Sequence, residues 1–328
     1  MLLLMNAFAA EEDSIASDRR ARLLLAALLG ISVLMAFITR GTYDSGDSIK
    51  HYLFARYAFE HPLNLLESWA KPLFTLLAAG PAQAGFMGMK LFQCAVVATS
   101  AWCAYVVARS LRLPAPELTI LFAYAMPDYF LIQFSGLTEP LFGLVLVGAV
   151  ALGEPGWVFA RNPYATVSVY GHGNWNHFLI SLPGMLGWVL TLLAALGGGR
   201  MLRDCLRPAR RQEPLFSAEL LLVYGSITVF VLAHTIFWAR GLFNSFGLTR
   251  VLDVTAPLFA VVAVNGLAWL MELGRSTEAR RRISIGATVA VVAFLFTGAR
   301  NAFRWQRDFV RPPDQVVADT AAAWMRQH

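Results

Sequence analysis

Long stretches almost free of charge alternate with short clusters of arginine, and this alternation narrows the fold more than any other feature. The apolar stretches cover about 23–39, 84–111, 117–133, 140–153, 179–198, 217–239, 252–273 and 283–299. Soluble domains spend about a quarter of their residues on Asp, Glu, Lys and Arg. This 328-residue chain has 15% charged and 57% hydrophobic residues, with a mean hydropathy of +0.54. That balance excludes an ordinary soluble enzyme, a disordered chain and a collagen-like or coiled-coil fibre. About 20 apolar residues in a helix cross the hydrocarbon of a bilayer. The expected fold is therefore all-α, a polytopic transmembrane helix bundle of about eight spans.

The net charge of +6 does not point to nucleic acid, because the basic residues sit in short runs between apolar stretches. Such runs mark cytoplasmic loops. They include Asp18-Arg19-Arg20-Ala21-Arg22, the Arg109–Arg112 turn, Arg200 to Arg211, and Arg275 to Arg282. Residues 1–22 read as a cytoplasmic tail, since the opening MLLLMNAFAA lacks the basic start and the apolar length of a signal peptide. Residues 23–299 form the membrane domain and 300–328 an outside-facing tail. Alternation of sides fails by one crossing between 117 and 177. Either one stretch in 117–153 is re-entrant, or a spanning segment is missing near residues 153–158. Cys94, Cys103 and Cys205 have no metal-ligand spacing and imply no disulfide framework.

The polar groups that could carry chemistry gather in loops assigned to the outer face. The first, 40–71, contains Tyr43-Asp44-Ser45-Gly46-Asp47-Ser48, with His51 four residues after Asp47. Its aromatic and aliphatic residues (Tyr52, Phe54, Ala55, Tyr57, Ala58, Phe59) predict an amphipathic helix in the interface. An acid beside a histidine can serve as a base toward a hydroxyl, and Asp47 or Ser48 could equally cap that helix. Lys50, Arg56 and Lys71 could meet a lipid phosphate or simply snorkel; Trp69 reads as an interface anchor. Glu139, in Thr138-Glu139-Pro140, combines a helix-capping pattern with a carboxylate at a span mouth. The loop 154–177 is rich in Gly, Asn, Tyr and Trp. Its Tyr170, His172 and His177 suit a sugar, a plain surface loop or, least of all, a metal. Arg250 opens a span and could pair with a phosphate or anchor at the interface. His234 reads as a bundle histidine. Phosphate-binding loops, dinucleotide fingerprints and hydrolase elbows are missing from the sequence.

Taken in order, Gly46-Asp47-Ser48 with His51-Tyr52, Trp69-Ala70-Lys71-Pro72-Leu73-Phe74, Ser135-Gly136-Leu137-Thr138-Glu139-Pro140-Leu141-Phe142, Asn162-Pro163-Tyr164 with Tyr170-Gly171, and Gly247-Leu248-Thr249-Arg250 resemble the GT-C superfamily of integral-membrane glycosyltransferases. The likeness covers most of 23–328 and is nearest to a bacterial branch related to protein and GPI mannosyltransferases. It implies inverting transfer of a hexose, mannose first, from a polyprenyl-phosphate carrier to a hydroxyl of a lipid, glycan or protein acceptor on the periplasmic face of a bacterial inner membrane. By the same resemblance Asp47 is the base with Asp44 as partner or alternative, and Lys71 and Arg250 hold the leaving phosphate. His51 orients the acid or meets the acceptor, and Glu139, Tyr170 and His177 contact substrate. Some members use a divalent cation and others none; no cofactor is otherwise implied. The chain departs from the family at Gly153-Glu154-Pro155-Gly156, where members commonly carry more spans. Two readings from other classes stand beside the enzyme: a transporter or flippase of lipid-linked sugar, and a non-catalytic membrane scaffold subunit.

Overall fold

In a computed structural model the backbone is described for all residues except 1, 45, 68–70, 153–167, 244, 275, 308–319, 321–323 and 325–328. The regular structure among the described residues is all helical, with no strand. The helices are α1 (Leu2–Ile38), α2 (Gly46–Arg56), α3 (Pro72–Ala82), α4 (Gly85–Ser110), α5 (Leu118–Ala125), α6 (Pro127–Ile132), α7 (Glu139–Leu152), α8 (His177–Leu186), α9 (Trp188–Cys205), α10 (Phe216–Arg240), α11 (Ala256–Glu272) and α12 (Thr277–Arg307). A 3-10 turn, Pro62–Leu65, follows α2, and a longer one, Thr249–Thr255, runs directly into α11.

Among the described residues four segments are long and apolar enough to cross a membrane: Ser17–Ile38, Gly85–Ser110, Phe216–Arg240 and Thr249–Glu272. The count is smaller than about eight for identifiable reasons. The 117–133 stretch breaks at Met126–Pro127 into α5 and α6, because a proline following an extended residue cannot continue the helix before it. The described part of α7, 14 residues or about 21 Å, ends where the described residues end, at Leu152. The 179–198 stretch is two helices, α8 and α9, bent by 120° at Gly187, whose φ of 80° and ψ of 147° are open to glycine and closed to most other residues. Counting that bent pair as one span gives up to five. The stretch 283–299 lies within α12. The boundary at residue 22 falls inside α1, and residues 300–307 of the C-terminal tail continue α12.

The long helices define two ends of different chemistry. At one end Arg109 pairs with Asp18 at 2.6 Å, and Arg20 with Glu117 at 2.8 Å. Helices α9 and α11 run side by side in the same direction, so their last turns meet there too: Arg200 reaches Glu272 at 2.5 Å. Arg210 reaches Glu219 at 2.8 Å, and Asn265 donates to that same buried carboxylate. The α9–α11 contact is close because it is made by glycines. A Cβ on Gly266 would stand 1.9 Å from the Leu193 carbonyl oxygen, and one on Gly197 would stand 2.1 Å from that of Val262. Small residues let helix backbones approach to packing distance without a side chain between them. The core around α11 is filled by Tyr105, Tyr124, Tyr129, Phe122, Phe134 and Leu258, all essentially inaccessible. Leu221, Val229, Leu232 and Ile236 on α10, and Leu23, Ile31, Leu34 and Phe37 on α1, remain exposed, as expected of helices whose outer faces meet lipid.

Candidate functional site

The other end of the bundle collects acids. Arg250 stands on the 3-10 turn ahead of α11 and is 12% exposed at its side chain. Its guanidinium is shared by three carboxylates from two distant segments. Nη2 donates to Asp47 Oδ2 at 2.6 Å, Nη1 pairs with Asp44 Oδ2, and Nε lies 3.2 Å from Glu139 Oε1. Asp47 lies 203 residues from Arg250 in sequence. A guanidinium offers five donors in a planar fork and can serve several carboxylates at once, which an ammonium cannot do with the same geometry.

Local structure explains how each group arrives. Asp47 lies in the first turn of α2 and Glu139 opens α7, where the exposed amides of a helix start favour a negative charge. Thr138 supplies the carbonyl that accepts the first helical bond, from Phe142 N at 3.0 Å. Asp44 has a positive φ of 60°, a conformation that Asp tolerates better than most residues. The segment before Glu139 is clamped by α2 and α4. Ser48 Oγ accepts the Gly136 amide at 2.6 Å, His51 Nδ1 lies 3.2 Å from the Gly136 carbonyl oxygen, and Gln93 Nε2 donates to the Leu137 carbonyl. A Cβ on Gly136 would lie 2.3 Å from the Ser48 carbonyl oxygen, so only glycine fits that contact. The face of α2 turned inward is Ser48, His51 and Ala55, whereas Leu53 and Tyr57 are exposed. The helix therefore presents a largely polar face to the bundle and apolar side chains outward.

Behind Arg250 lies Asp253, wholly buried, with neither carboxylate oxygen hydrogen-bonded; Glu139 Oε2 is likewise buried without a partner. In a 3-10 helix, side chains at i and i+3 eclipse one another. Arg250 and Asp253 therefore face the same side. Asp128 on α6 and Tyr43 ahead of α2 complete the surroundings. Burial pushes the Glu139 carboxyl up to about 7, helped by the charge of Asp47 and opposed by Lys71. Burial also raises Asp128 to about 6, and lifts the Tyr43 phenol, with neighbouring Asp128 and Asp253 adding to the effect. A site holding this many carboxylates around one guanidinium favours ligands that donate hydrogen bonds, such as polyols, and disfavours a free anion while those carboxylates are charged.

Of the residues singled out in the sequence, Asp44, Asp47, Glu139 and Arg250 converge in direct contact. Lys71, at the start of α3 with a φ of 57°, lies close enough for its charge to act on Glu139. His51 packs against the backbone of Gly136 and the ring of Phe74, at 5.8 Å between centroids, and so holds the segment leading to Glu139. His177 meets the Gly247 carbonyl oxygen through Nε2 at 2.6 Å and lies by Trp238. Tyr170 is exposed, edge-on to Phe246 at 4.8 Å. These two brace the loop that leads to Arg250. Residues 153–167, with the Asn162-Pro163-Tyr164 motif, and Trp69 lie outside the described residues. Sequence reading passed over Asp253, Asp128 and Tyr43; the spacing of Arg250 and Asp253 in an apolar stretch was the available signal. Among the described residues no group of three or more His, Cys, Asp or Glu side chains is arranged to hold a metal ion. No protein-family profile, characterised protein or solved structure matches this chain.

Proposed function

We propose that the chain is an integral-membrane glycosyltransferase that moves a hexose, mannose foremost, from a polyprenyl phosphate to an acceptor hydroxyl on the periplasmic face. The observation that carries the proposal is the meeting of Asp44, Asp47 and Glu139 on Arg250 at the end of the bundle opposite the arginine clusters. In this reading the arginine-rich end faces the cytoplasm and the acidic end the outside. Asp47, the most exposed of the three acids at 42% of its side chain, takes the proton from the acceptor hydroxyl. The hydroxyl oxygen forms a bond to the anomeric carbon as the bond from that carbon to phosphate oxygen breaks, with inversion. Arg250 and Lys71 neutralise the departing phosphate. For this to happen Arg250 must exchange a carboxylate for the phosphate, and Asp44 is the partner best placed to leave because it belongs to a short turn and not to a helix. The lipid, glycan or protein nature of the acceptor is set by the surrounding loops.

The test is transfer of label from a panel of radiolabelled polyprenyl-phosphate sugars by the purified protein. Label moved to an acceptor, and lost with Asp47→Asn, is the result expected. Movement of the intact lipid-linked sugar across vesicles without transfer would favour a transporter instead, a reading to which the buried, unpartnered Asp253 lends some weight. Binding without either would indicate a scaffold subunit.

A further inference from the structure

A second feature is a cleft along α2, where Lys50 stands about one helical turn after Asp47. Lys50, Leu53, Phe54 and Tyr57 follow one another at helical spacing and face the 3-10 turn Pro62–Leu65 across a cleft of about 380 Å³, which Glu60, His61 and Asn64 close. Asn64 Nδ2 lies 3.5 Å from the Phe54 carbonyl oxygen and ties the turn to the helix. The cleft thus carries two basic side chains, Lys50 and His61, and one acidic side chain, Glu60. Its rim is unusually apolar for an exposed surface. Phe59 is 67%, Leu63 78% and Leu66 76% exposed, and Leu73, Leu76 and Leu77 of α3 extend the same apolar surface. Large apolar side chains left outside at this density mark contact with something other than water.

We propose that this cleft binds the headgroup of a membrane phospholipid carrying both a phosphate and a primary amine, while Phe59, Leu63 and Leu66 sink among its acyl chains. The charge pattern supports one occupant. Lys50 and His61 match the phosphate and Glu60 matches the ammonium, so a zwitterionic headgroup satisfies all three where an anionic one leaves Glu60 opposed. Apolar side chains beside a charged cleft are also the arrangement by which interfacial segments enter the headgroup boundary. The site would fix the height of α2 in the bilayer, and with it the height of Asp47, one turn before Lys50 on the same side of the helix. It stands apart from the sugar-transfer reading and requires only that the protein sits in a membrane.

The experiment is native mass spectrometry of the purified full chain, titrated in parallel with phosphatidylethanolamine, phosphatidylglycerol and phosphatidylcholine. Retention of phosphatidylethanolamine over both others, reduced about tenfold in Lys50→Gln and in Glu60→Gln, is the expected result. Both residues are exposed, so the variants' thermal unfolding should match that of the parent chain. Equal retention of the three lipids, preference for phosphatidylglycerol, or unchanged retention in either variant would overturn the proposal. A Leu63→Cys variant, labelled with a fluorophore in a Cys103→Ser, Cys205→Ser background, should be quenched by lipids brominated in their acyl chains. Lack of quenching would overturn the part assigned to the apolar rim.

Discussion

Replacing Arg250 by glutamine removes the one guanidinium that Asp44, Asp47 and Glu139 share. Glutamine keeps a donor and most of the stem, so the change is chiefly one of charge. Taking away one partner of a buried ion pair costs about 3–5 kcal/mol, because the remaining charge is left uncompensated. The lower part of that range applies to this site, since Asp44 and Asp47 keep access to solvent at 24% and 42% of their side chains. A loss of about 3 kcal/mol corresponds to a fall on the order of 5–10 °C in the unfolding midpoint. The dependence on pH is the sharper test. A carboxyl raised on folding, as Glu139 is from 4.5 to about 7, binds more protons in the folded than in the unfolded state over that window. Stability therefore falls as pH rises from about 4.5 to 7. Without Arg250 the fall should be steeper, so the variant's deficit should be largest near pH 8 and smallest near pH 5. Thermal unfolding in detergent across that range, followed by intrinsic fluorescence, measures it. Adding Glu139→Gln to Arg250→Gln should recover part of the loss at pH 8 and little at pH 5. A deficit that is the same at both pH values, or no deficit at all, would refute the account of Arg250 as the common counter-charge.

Three further outcomes follow from the same geometry. Asp47→Asn should lower sugar transfer by about 10²–10⁴, the usual contribution of a positioned base, with the unfolding midpoint moved by a few degrees at most; retained transfer at the parent rate would remove Asp47 from that role. Gly136→Ala should destabilise the chain by about 2 kcal/mol or more through the clash with the Ser48 carbonyl, and should lower transfer as well because the segment it shifts carries Glu139, which a combined unfolding and activity measurement would register. Asp128→Asn should stabilise the chain above about pH 6 and leave it unchanged below about pH 4, since the native carboxyl titrates near 6 and the unfolded one near 3.8; that separation is worth up to about 3 kcal/mol, and a variant no more stable than its parent at pH 8 would contradict the burial of Asp128.

The parts of this protein that its sequence disclosed are those governed by local chemistry. Charge-free stretches flanked by arginines announced an all-helical chain with membrane-length helices, and Arg20 of α1, Arg109 of α4, Arg200 of α9 and Arg210 ahead of α10 do gather at one end. Span number was less legible, because an apolar run reads the same whether it forms one straight helix or two that meet at 120°. Met126–Pro127 and Gly187 settle that question through backbone conformation, which hydropathy does not record. The candidate site divides in the same way. Asp44, Asp47, Glu139 and Arg250 stood out because charges beside apolar stretches are costly and need a reason. Asp253 carries the same cost but sat just inside a stretch already assigned to the membrane, where it passed as part of a span. Its meaning depends on what faces it across the bundle, namely Glu139 from α7 and Asp128 from α6. Those neighbours are fixed by helix packing, including the glycine contacts that let α9 and α11 close together, and not by any spacing along the chain. The acids that solvent reaches could thus be nominated from sequence, whereas the acid that solvent does not reach needed the fold.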